Sequence, residues 1–213
     1  MAIHQIISSI GFDSSIYLII GERTALIDTG TGLDSVNVVS QIRTLLGGKR
    51  LDMIILTHCH VDHIGGLYDI QNSFDSCAYA GKDAVAIRSG DPHVTLCDMF
   101  GVKLKPVQVE EVPDRMILDL GGHKLETIYT PGHTSGGISI YDWETGSLFS
   151  GDTLFENGVG RCDFPTGSDA DLIDSVKMIS KLNIKSLHPG HGRSVVDGSR
   201  MAEYALKMMG VWN

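Results

Sequence analysis

Long apolar runs are missing from the sequence. The longest ones, such as Ile16–Ile20 and Met53–Leu56, are far shorter than the roughly 20 residues that a membrane-spanning helix requires. Residues 1–5 also lack the basic start, apolar stretch and small-residue cleavage site of a secretory signal. These absences predict a cytoplasmic protein that does not associate with a membrane.

Cysteine is scarce, and its spacing is irregular. Cys59, Cys77, Cys97 and Cys162 form no C-x-x-C pair and no zinc-knuckle spacing. In a chain of 213 residues such cysteines are more often reduced core thiols than parts of a disulfide frame. Cys59 stands between two histidines, but side-chain alternation points it away from them, which predicts a buried, inert thiol. Cys162 follows Arg161 directly, so an exposed, reactive thiol stays open there.

Positive charge is also in short supply, with 17 lysines and arginines against 26 aspartates and glutamates and a net charge of −9. Nucleic-acid surfaces rely on clustered Lys and Arg side chains, so this balance argues against a nucleic-acid partner. It fits a protein that acts on small molecules.

Apolar residues make up 42% of the chain, and their pattern predicts short strands separated by helices. The predicted strands are residues 3–9, 15–20, 24–27, 53–57, 116–118, 125–129, 137–141, 147–149 and 186–187. The predicted helices are residues 34–46, 169–182 and 198–209, and a strand–helix unit is predicted at 78–88. In the first helix the expected buried face consists of Val36, Val39, Ile42 and Leu46.

Two strand-rich halves, roughly residues 1–113 and 114–213, each end in helices. This pattern predicts a single domain of the α+β class, built as an αββα sandwich in which two mixed β-sheets pack face to face with helices outside. The irregular segment 90–113, which three prolines interrupt, is expected to pass over the functional site.

Four potential metal ligands follow the predicted buried strand 53–57, namely His58, His60, Asp62 and His63. Alternation along an extended segment lets His58 and His60 reach one ion, while Asp62 and His63 lie past the bend and reach another. Imidazole and carboxylate are ligands that suit zinc, at roughly 2.0–2.2 Å. One histidine alone would be an ordinary core residue, but three with an aspartate in six residues predict a metal centre.

Three further candidates, His133, Asp152 and His191, each follow an apolar strand and stand beside a glycine. Glycine permits close backbone approach and positive φ, so the turn can aim its neighbour at a buried ion. Each of these turns has an ordinary structural interpretation by itself. The repeated arrangement of strand, glycine and ligand favours one common site.

The sequence as a whole resembles the metallo-β-lactamase superfamily, and most closely its glyoxalase II-like hydrolases. The segments that carry the resemblance are THCHVDH at 57–63, TPGHTSGG at 130–137, SGDTLF at 150–155, GVGRCDFP at 158–165 and HPGHG at 188–192. The resemblance implies two divalent metal ions. It assigns one ion to His58, His60 and His133, the other to Asp62, His63 and His191, and makes Asp152 the bridge between them.

The resemblance also implies the chemistry. By this resemblance, a hydroxide held between the ions would attack an activated acyl bond, with a thioester as the leading candidate and Asp62 and Asp152 as the catalytic carboxylates. Zinc is the favoured metal, with iron and manganese as alternatives. Asp28, in a Leu-Ile-Asp-Thr-Gly segment, matches an aspartate that supports the metal ligands in the family, although an ordinary Asx turn explains it equally well.

Some parts of the family pattern are absent. Glyoxalase II enzymes carry a C-terminal helical domain that grips glutathione, and here the sequence ends after the helix predicted at 198–209. Asp163 stands where the family has a glutathione-contacting aromatic residue. Arg161 and Arg193 are therefore expected to anchor a different small anionic acyl substrate.

Other activities remain open beside a thioesterase. Gly160-Arg161-Cys162-Asp163-Phe164 resembles a segment of the persulfide dioxygenases, which hold a single iron in the same fold. A lactonase would use the same nucleophile. A secreted β-lactamase is disfavoured by the missing signal, a nuclease by the acidic composition, and a metal-buffering module by the completeness of the ligand set. No G-x-S-x-G turn offers a serine nucleophile.

Overall fold

The computed structural model describes residues 1–211, so residues 212 and 213 of the predicted domain lie outside the described residues. Strands from the first half form one six-stranded sheet in the order β1-β2-β3-β4-β5-β6. Their bounds are Ala2–Ile6, Ile16–Ile20, Thr24–Ile27, Met53–Leu56, Cys77–Ala80 and Glu110–Glu111. The sheet is mixed, because β1 to β3 pair antiparallel whereas β3 to β6 pair parallel.

A second six-stranded sheet is built from the second half, in the order β14-β13-β10-β9-β8-β7. These strands are β7 Ile117–Asp119, β8 Lys124–Tyr129, β9 Ile138–Asp142, β10 Ser147–Gly151, β13 Ser186–Pro189 and β14 Val195–Val196. Only β10 and β13 run parallel, so this sheet is mixed as well. A short hairpin, β11 Leu154–Phe155 and β12 Gly158–Val159, follows β10.

Alternation along the strands divides the apolar side chains among three layers. On β2, Leu18 packs outward against the helices of the first half, whereas Ile19 packs between the sheets. On β10, Phe149 lies between the sheets and Leu148 packs against the helices of the second half. Two sheets with a shared apolar layer and helices on both outer faces confirm the predicted αββα sandwich of the α+β class.

The helices cover the outer faces of the two sheets. Their bounds are α1 Ser35–Leu46, α2 Val61–Ile64, α3 Leu67–Phe74, α4 Ala84–Ser89, α5 Cys97–Phe100, α6 Asp169–Ile179 and α7 Gly198–Met208. None of the helices among residues 1–211 combines the length and the hydrophobicity that crossing a bilayer requires.

The prediction for α1 was wrong at Val36, which is 87% exposed. The buried residues of the helix are Val38, Ile42 and Leu46, which follow one another at intervals of four. At about 100° per residue, Val36 lies about 200° from Val38 and therefore faces water.

The first strand ends earlier than predicted, at Ile6 rather than at residue 9. The backbone of Ile7 leaves the sheet because α1 supplies its hydrogen bonds. Ile7 N donates to Gln41 Oε1 at 3.1 Å, and its carbonyl accepts from Gln41 Nε2 at 2.7 Å and from Asn37 Nδ2 at 3.1 Å. Side chains of α1 thus replace the neighbouring strand as hydrogen-bond partners.

Candidate metal centre

The ends of four strands meet at one edge of the sandwich and bring the predicted ligands together. His58 and His60 follow β4, His133 follows β8, Asp152 follows β10 and His191 follows β13. Backbone hydrogen bonds tie these ends to one another. Ile138 N donates to Thr57 O at 2.8 Å between the two sheets, and Gly190 N donates to Gly151 O at 2.8 Å.

The first group of ligands consists of three buried histidines. His60 Nδ1 lies 3.1 Å from His58 Nε2 and 2.9 Å from His133 Nε2. Nitrogen ligands at about 2.0–2.1 Å from a tetrahedral ion would lie about 3.3 Å apart, so these separations have the required scale. The structure therefore places together the trio that the sequence predicted for one ion.

The hydrogen bonds of this trio show which nitrogens carry protons. Arg161 O can only accept, so His133 Nδ1, at 2.7 Å from it, is the protonated nitrogen. Thr57 Oγ1 donates to Asp28 and can accept the proton of His58 Nδ1 at 3.1 Å. The Nε2 atoms of His58 and His133 thus present lone pairs to His60 Nδ1. A cation placed here would bind these two lone pairs, together with that of His60 Nδ1 when the His60 proton is on Nε2.

The second group lies directly beside the first. His191 Nε2 is 3.1 Å from Asp62 Oδ2, and His63 Nε2 is 3.8 Å from the same oxygen. The fully buried His63 donates from Nδ1 to Asp28 Oδ2 at 2.7 Å, which leaves its Nε2 free to face the group. The structure thus also brings together the second predicted trio.

Asp152 stands between the two groups. Its carboxylate oxygens lie 3.4 Å from His63 Nε2, 3.5 Å from His133 Nε2 and 3.6 Å from His191 Nε2. Within residues 1–211, neither Asp152 Oδ1 nor His63 Nε2 has a hydrogen-bond partner, although both atoms are buried. Buried polar atoms are normally paired, so these two fit a centre in which cations complete their coordination.

The pKa values of the first trio favour neutral imidazoles. Burial, then the neighbouring His63 and His60, hold the pKa of His58 well below its usual range. Burial and then His133 lower the pKa of His60 to about 3, and burial also lowers the pKa of His133. A neutral imidazole is the form that binds a metal ion, so all three are ready as ligands at neutral pH.

The carboxylates keep their charge despite burial. For Asp62, burial acts to raise the pKa, but the charge of His63 and the hydrogen bond with His191 outweigh it and lower the pKa. For Asp152 burial is likewise outweighed, first by His63, and the pKa falls far below its usual value. Two largely buried, ionised carboxylates among histidines complete a donor set that suits divalent ions.

Asp28 positions two segments of the site at once. It adopts a left-handed conformation, with φ of 57°. Its Oδ1 accepts from Thr57 N at 2.8 Å, and its Oδ2 accepts from Thr57 Oγ1 at 2.8 Å and from His63 Nδ1 at 2.7 Å. This geometry is more than an Asx turn, because it fixes the ring of a candidate ligand and the strand end that precedes His58.

We expect the substitution Asp28→Asn to lower kcat/KM by about 10- to 100-fold. Asparagine tolerates the left-handed backbone, but it offers one acceptor oxygen where three donors converge. The measurement is steady-state kinetics with the bound metal determined in the same sample. Asp197→Asn is the matched control, since Asp197 is exposed, has φ of 59° and starts α7 away from the site. Equal activity of the Asp28 and Asp197 variants would contradict the positioning role.

Asp83 is a functional neighbour that the sequence did not indicate. Its buried Oδ2 accepts from Cys59 N at 3.0 Å and from Thr134 Oγ1 at 2.6 Å. It thereby joins the loop of His58 and His60 to the loop of His133. The only sequence signal is an acidic residue just after a strand and a glycine, and the separation of 24 positions between Cys59 and Asp83 conceals the contact.

Glycine is required where the backbone passes closest to Asp152. A Cβ atom at Gly190 would collide with Asp152 Oδ1 and come within 2.8 Å of His63. A Cβ atom at Gly160 would collide with the carbonyl oxygen of Asp152. The predicted role of glycines beside the ligands therefore holds here as close approach of the backbone.

A cavity of about 330 Å³ opens onto the ligands. Leu96 and Phe100 line it, so the segment 90–113 does pass over the site, with the short helix α5 as its contact. Arg161 also lines the cavity, whereas Arg193 lies outside the lining. Both arginines have acidic partners, since Arg161 pairs with Asp163 and Arg193 pairs with Glu156.

All four cysteines are free thiols. Cys59 is fully buried, as predicted, and burial raises its pKa well above the usual value, which disfavours a reactive thiolate. Cys162 is half-buried, and burial together with Asp169 raises its pKa to about 11, which disfavours a reactive thiolate.

A four-layer αββα sandwich with a His and Asp cluster at its strand ends is the arrangement of a metal-binding enzyme of the metallo-hydrolase class. The chain belongs to the metallo-beta-lactamase superfamily, whose family model matches residues 10–191. It is 39% identical over 201 residues to the probable metallo-hydrolase MJ0888 of Methanocaldococcus jannaschii, covering 90% of this chain and 92% of that protein.

Two further relatives bear on the chemistry. The hydroxyacylglutathione hydrolase GloC of Haemophilus influenzae is 30% identical over 172 residues, covering 73% of each protein. The crystal structure of TTHA1623 in a di-iron-bound form is 29% identical, with a TM-score of 0.74, covering 88% of this chain and 91% of that one.

Proposed function

We propose that this metallo-hydrolase cleaves thioesters with two divalent ions in the centre just described. One observation carries the proposal: seven side chains converge at one end of a cavity as two trios with Asp152 between them. A buried catalytic site of this kind needs an opening of substrate size, and about 330 Å³ falls in the range of small-molecule pockets.

When bound, two divalent ions would lower the pKa of a coordinated water towards about 7 and polarise the substrate carbonyl. The side chains of the protein hold the ions and orient the attacking water. His58, His60 and His133 offer neutral nitrogens, and Asp152 faces both trios. Asp62 lines the cavity and stays ionised, so its carboxylate can accept a hydrogen bond from the attacking water and fix its direction.

The proposed metal is zinc, because imidazole and carboxylate donors in compact groups are typical of zinc sites. Iron is the main competitor, since the relative TTHA1623 has been solved with two irons. Manganese suits a site richer in oxygen ligands than this one.

A thioester is favoured over other acyl bonds by the relationship to GloC, whose name describes hydrolysis of a glutathione thioester. A lactone remains a second candidate for the same residues. The small-molecule substrate, the absence of a nucleic-acid partner and the cytoplasmic location stay predictions from the sequence.

The test is metal analysis of purified protein combined with a substrate panel. Protein expressed with equal zinc, iron and manganese is expected to hold two metal ions per chain and to hydrolyse thioesters faster than lactones. A persulfide supplied with oxygen serves as the discriminating substrate. One iron per chain with oxygen uptake on the persulfide would replace the proposal by a persulfide dioxygenase.

A further inference from the structure

The cavity beside the metal centre has an apolar wall. Leu96, Phe100, Phe155 and Phe164 line it, and they come from three separate segments of the chain. Two of the rings lie beside candidate ligands. The ring centroids of Phe164 and His60 are 5.6 Å apart, and those of Phe155 and His191 are 6.5 Å apart. The apolar surface therefore begins directly beside the candidate metal ligands.

Helix α5 and the ring of Phe12 support part of this apolar wall. Leu96 is 5% exposed and begins α5 with a left-handed φ of 61°. Phe100, at the other end of that helix, packs on Phe12 with a centroid separation of 5.4 Å. Helix α5 and Phe12 thus support two apolar side chains beside the opening.

Among the described residues, Arg161 is the only lysine or arginine in the cavity lining, and it already has an acidic partner. Arg161 donates from Nε to Asp163 Oδ1 at 2.6 Å and from Nη2 to Asp163 Oδ2 at 2.5 Å. Its Cζ atom also lies 4.0 Å from the ring centroid of Phe164. Asp163 thus binds two N–H groups of the guanidinium, and Phe164 covers one of its faces.

The charge balance at this rim does not depend on the strength of the pair. Arg161 and Asp163 are both exposed, and exposed ion pairs are weak. An anion that approached Arg161 would nevertheless meet the carboxylate of Asp163 as well. The Arg161–Asp163 pair therefore adds no net positive charge to this part of the rim, whatever it contributes to stability.

We propose that the cavity selects an uncharged, apolar acyl group, and that Asp163 sets this preference by neutralising Arg161. This inference rests on the proposed thioester hydrolysis and adds the class of acyl group. Each methylene that contacts the apolar wall is expected to raise kcat/KM by up to about fourfold. An anionic acyl group, which the sequence predicted, is the competing outcome.

The test compares two thioesters of N-acetylcysteamine that differ at one end only. Hexanoyl and adipoyl groups have equal chain length, but adipoyl ends in a carboxylate. The metal-loaded wild type is expected to prefer hexanoyl by about tenfold or more in kcat/KM. Asp163→Asn should shift the ratio towards adipoyl by about tenfold, which corresponds to one charge-assisted hydrogen bond to the freed Arg161.

Controls separate the role of Arg161 from a general loss of structure. The double variant Arg161→Ala with Asp163→Asn should return the ratio towards that of the wild type. Glu156→Gln frees Arg193, which lies outside the lining, and should leave the ratio within about twofold. Because both substrates are measured on the same sample, a partly unfolded variant does not change the ratio.

A wild-type preference for adipoyl, or an unchanged ratio in Asp163→Asn, would overturn the inference while thioester hydrolysis stands. No turnover of either thioester by protein with two bound ions would instead remove the proposed function, and the inference with it.

Discussion

The substitution Asp152→Ala is expected to lower kcat/KM by more than about 100-fold and to reduce the bound metal from two ions to one or none. Loss of a residue that merely supports a metal ligand already costs about 10- to 100-fold. Asp152 is placed more centrally than that, because its carboxylate lies within 3.6 Å of a histidine nitrogen in each trio. Its removal affects both trios at once.

The measurement is steady-state kinetics together with metal content by mass spectrometry. Asp174→Ala is the control, since Asp174 lies on α6 with its side chain 77% exposed. Asp152→Asn retains one oxygen and should give an intermediate loss. A variant Asp152→Ala that kept two ions and full turnover would show that the centre does not work as a pair.

The candidate site was predictable because its signal is local. Each ligand follows an apolar strand, and ends of neighbouring strands in packed sheets meet at one edge. His58, His133 and His191 could therefore be assigned to one common site before any distance was known. The division into two trios, which the structure also shows, came from the resemblance to the family.

The helix α3, Leu67–Phe74, was not predicted although its spacing of Leu67, Ile70 and Phe74 fits a helical face. Gly65 and Gly66 precede it and suggest a loop in the sequence. In the fold they serve another purpose, because a Cβ atom at either would collide with the backbone of residues 29–31. A glycine needed for close packing looks the same in a sequence as a glycine that ends a helix.

The partners of the two arginines show where sequence reasoning stops. Arg161 and Asp163 are two residues apart, but only the loop geometry turns the side chains towards each other. Arg193 and Glu156 are 37 residues apart, and no pattern connects them. The sequence thus showed that both side chains are positively charged, but it did not show whether those charges are free to bind a substrate.

Metal removal is expected to lower the melting temperature by about 8–16 °C. An ion at 1,000 times its dissociation constant stabilises the native state by about 4 kcal/mol, and in a domain of this size each kcal/mol shifts the melting temperature by about 2–4 °C. The physical reason lies in the site itself. Without cations, Asp152 Oδ1 and His63 Nε2 are buried with no hydrogen-bond partner among residues 1–211, which is unfavourable for buried polar atoms.

The measurement is thermal denaturation followed by circular dichroism, before and after treatment with a strong chelator. Restoring zinc in steps should recover the melting temperature as the bound metal approaches two ions per chain. In Asp152→Ala the chelator should cause a much smaller shift, because less metal is bound at the start. An unchanged melting temperature in protein shown to be metal-free would mean that ion binding and folding are not coupled here, and that the converging side chains are stable without a cation.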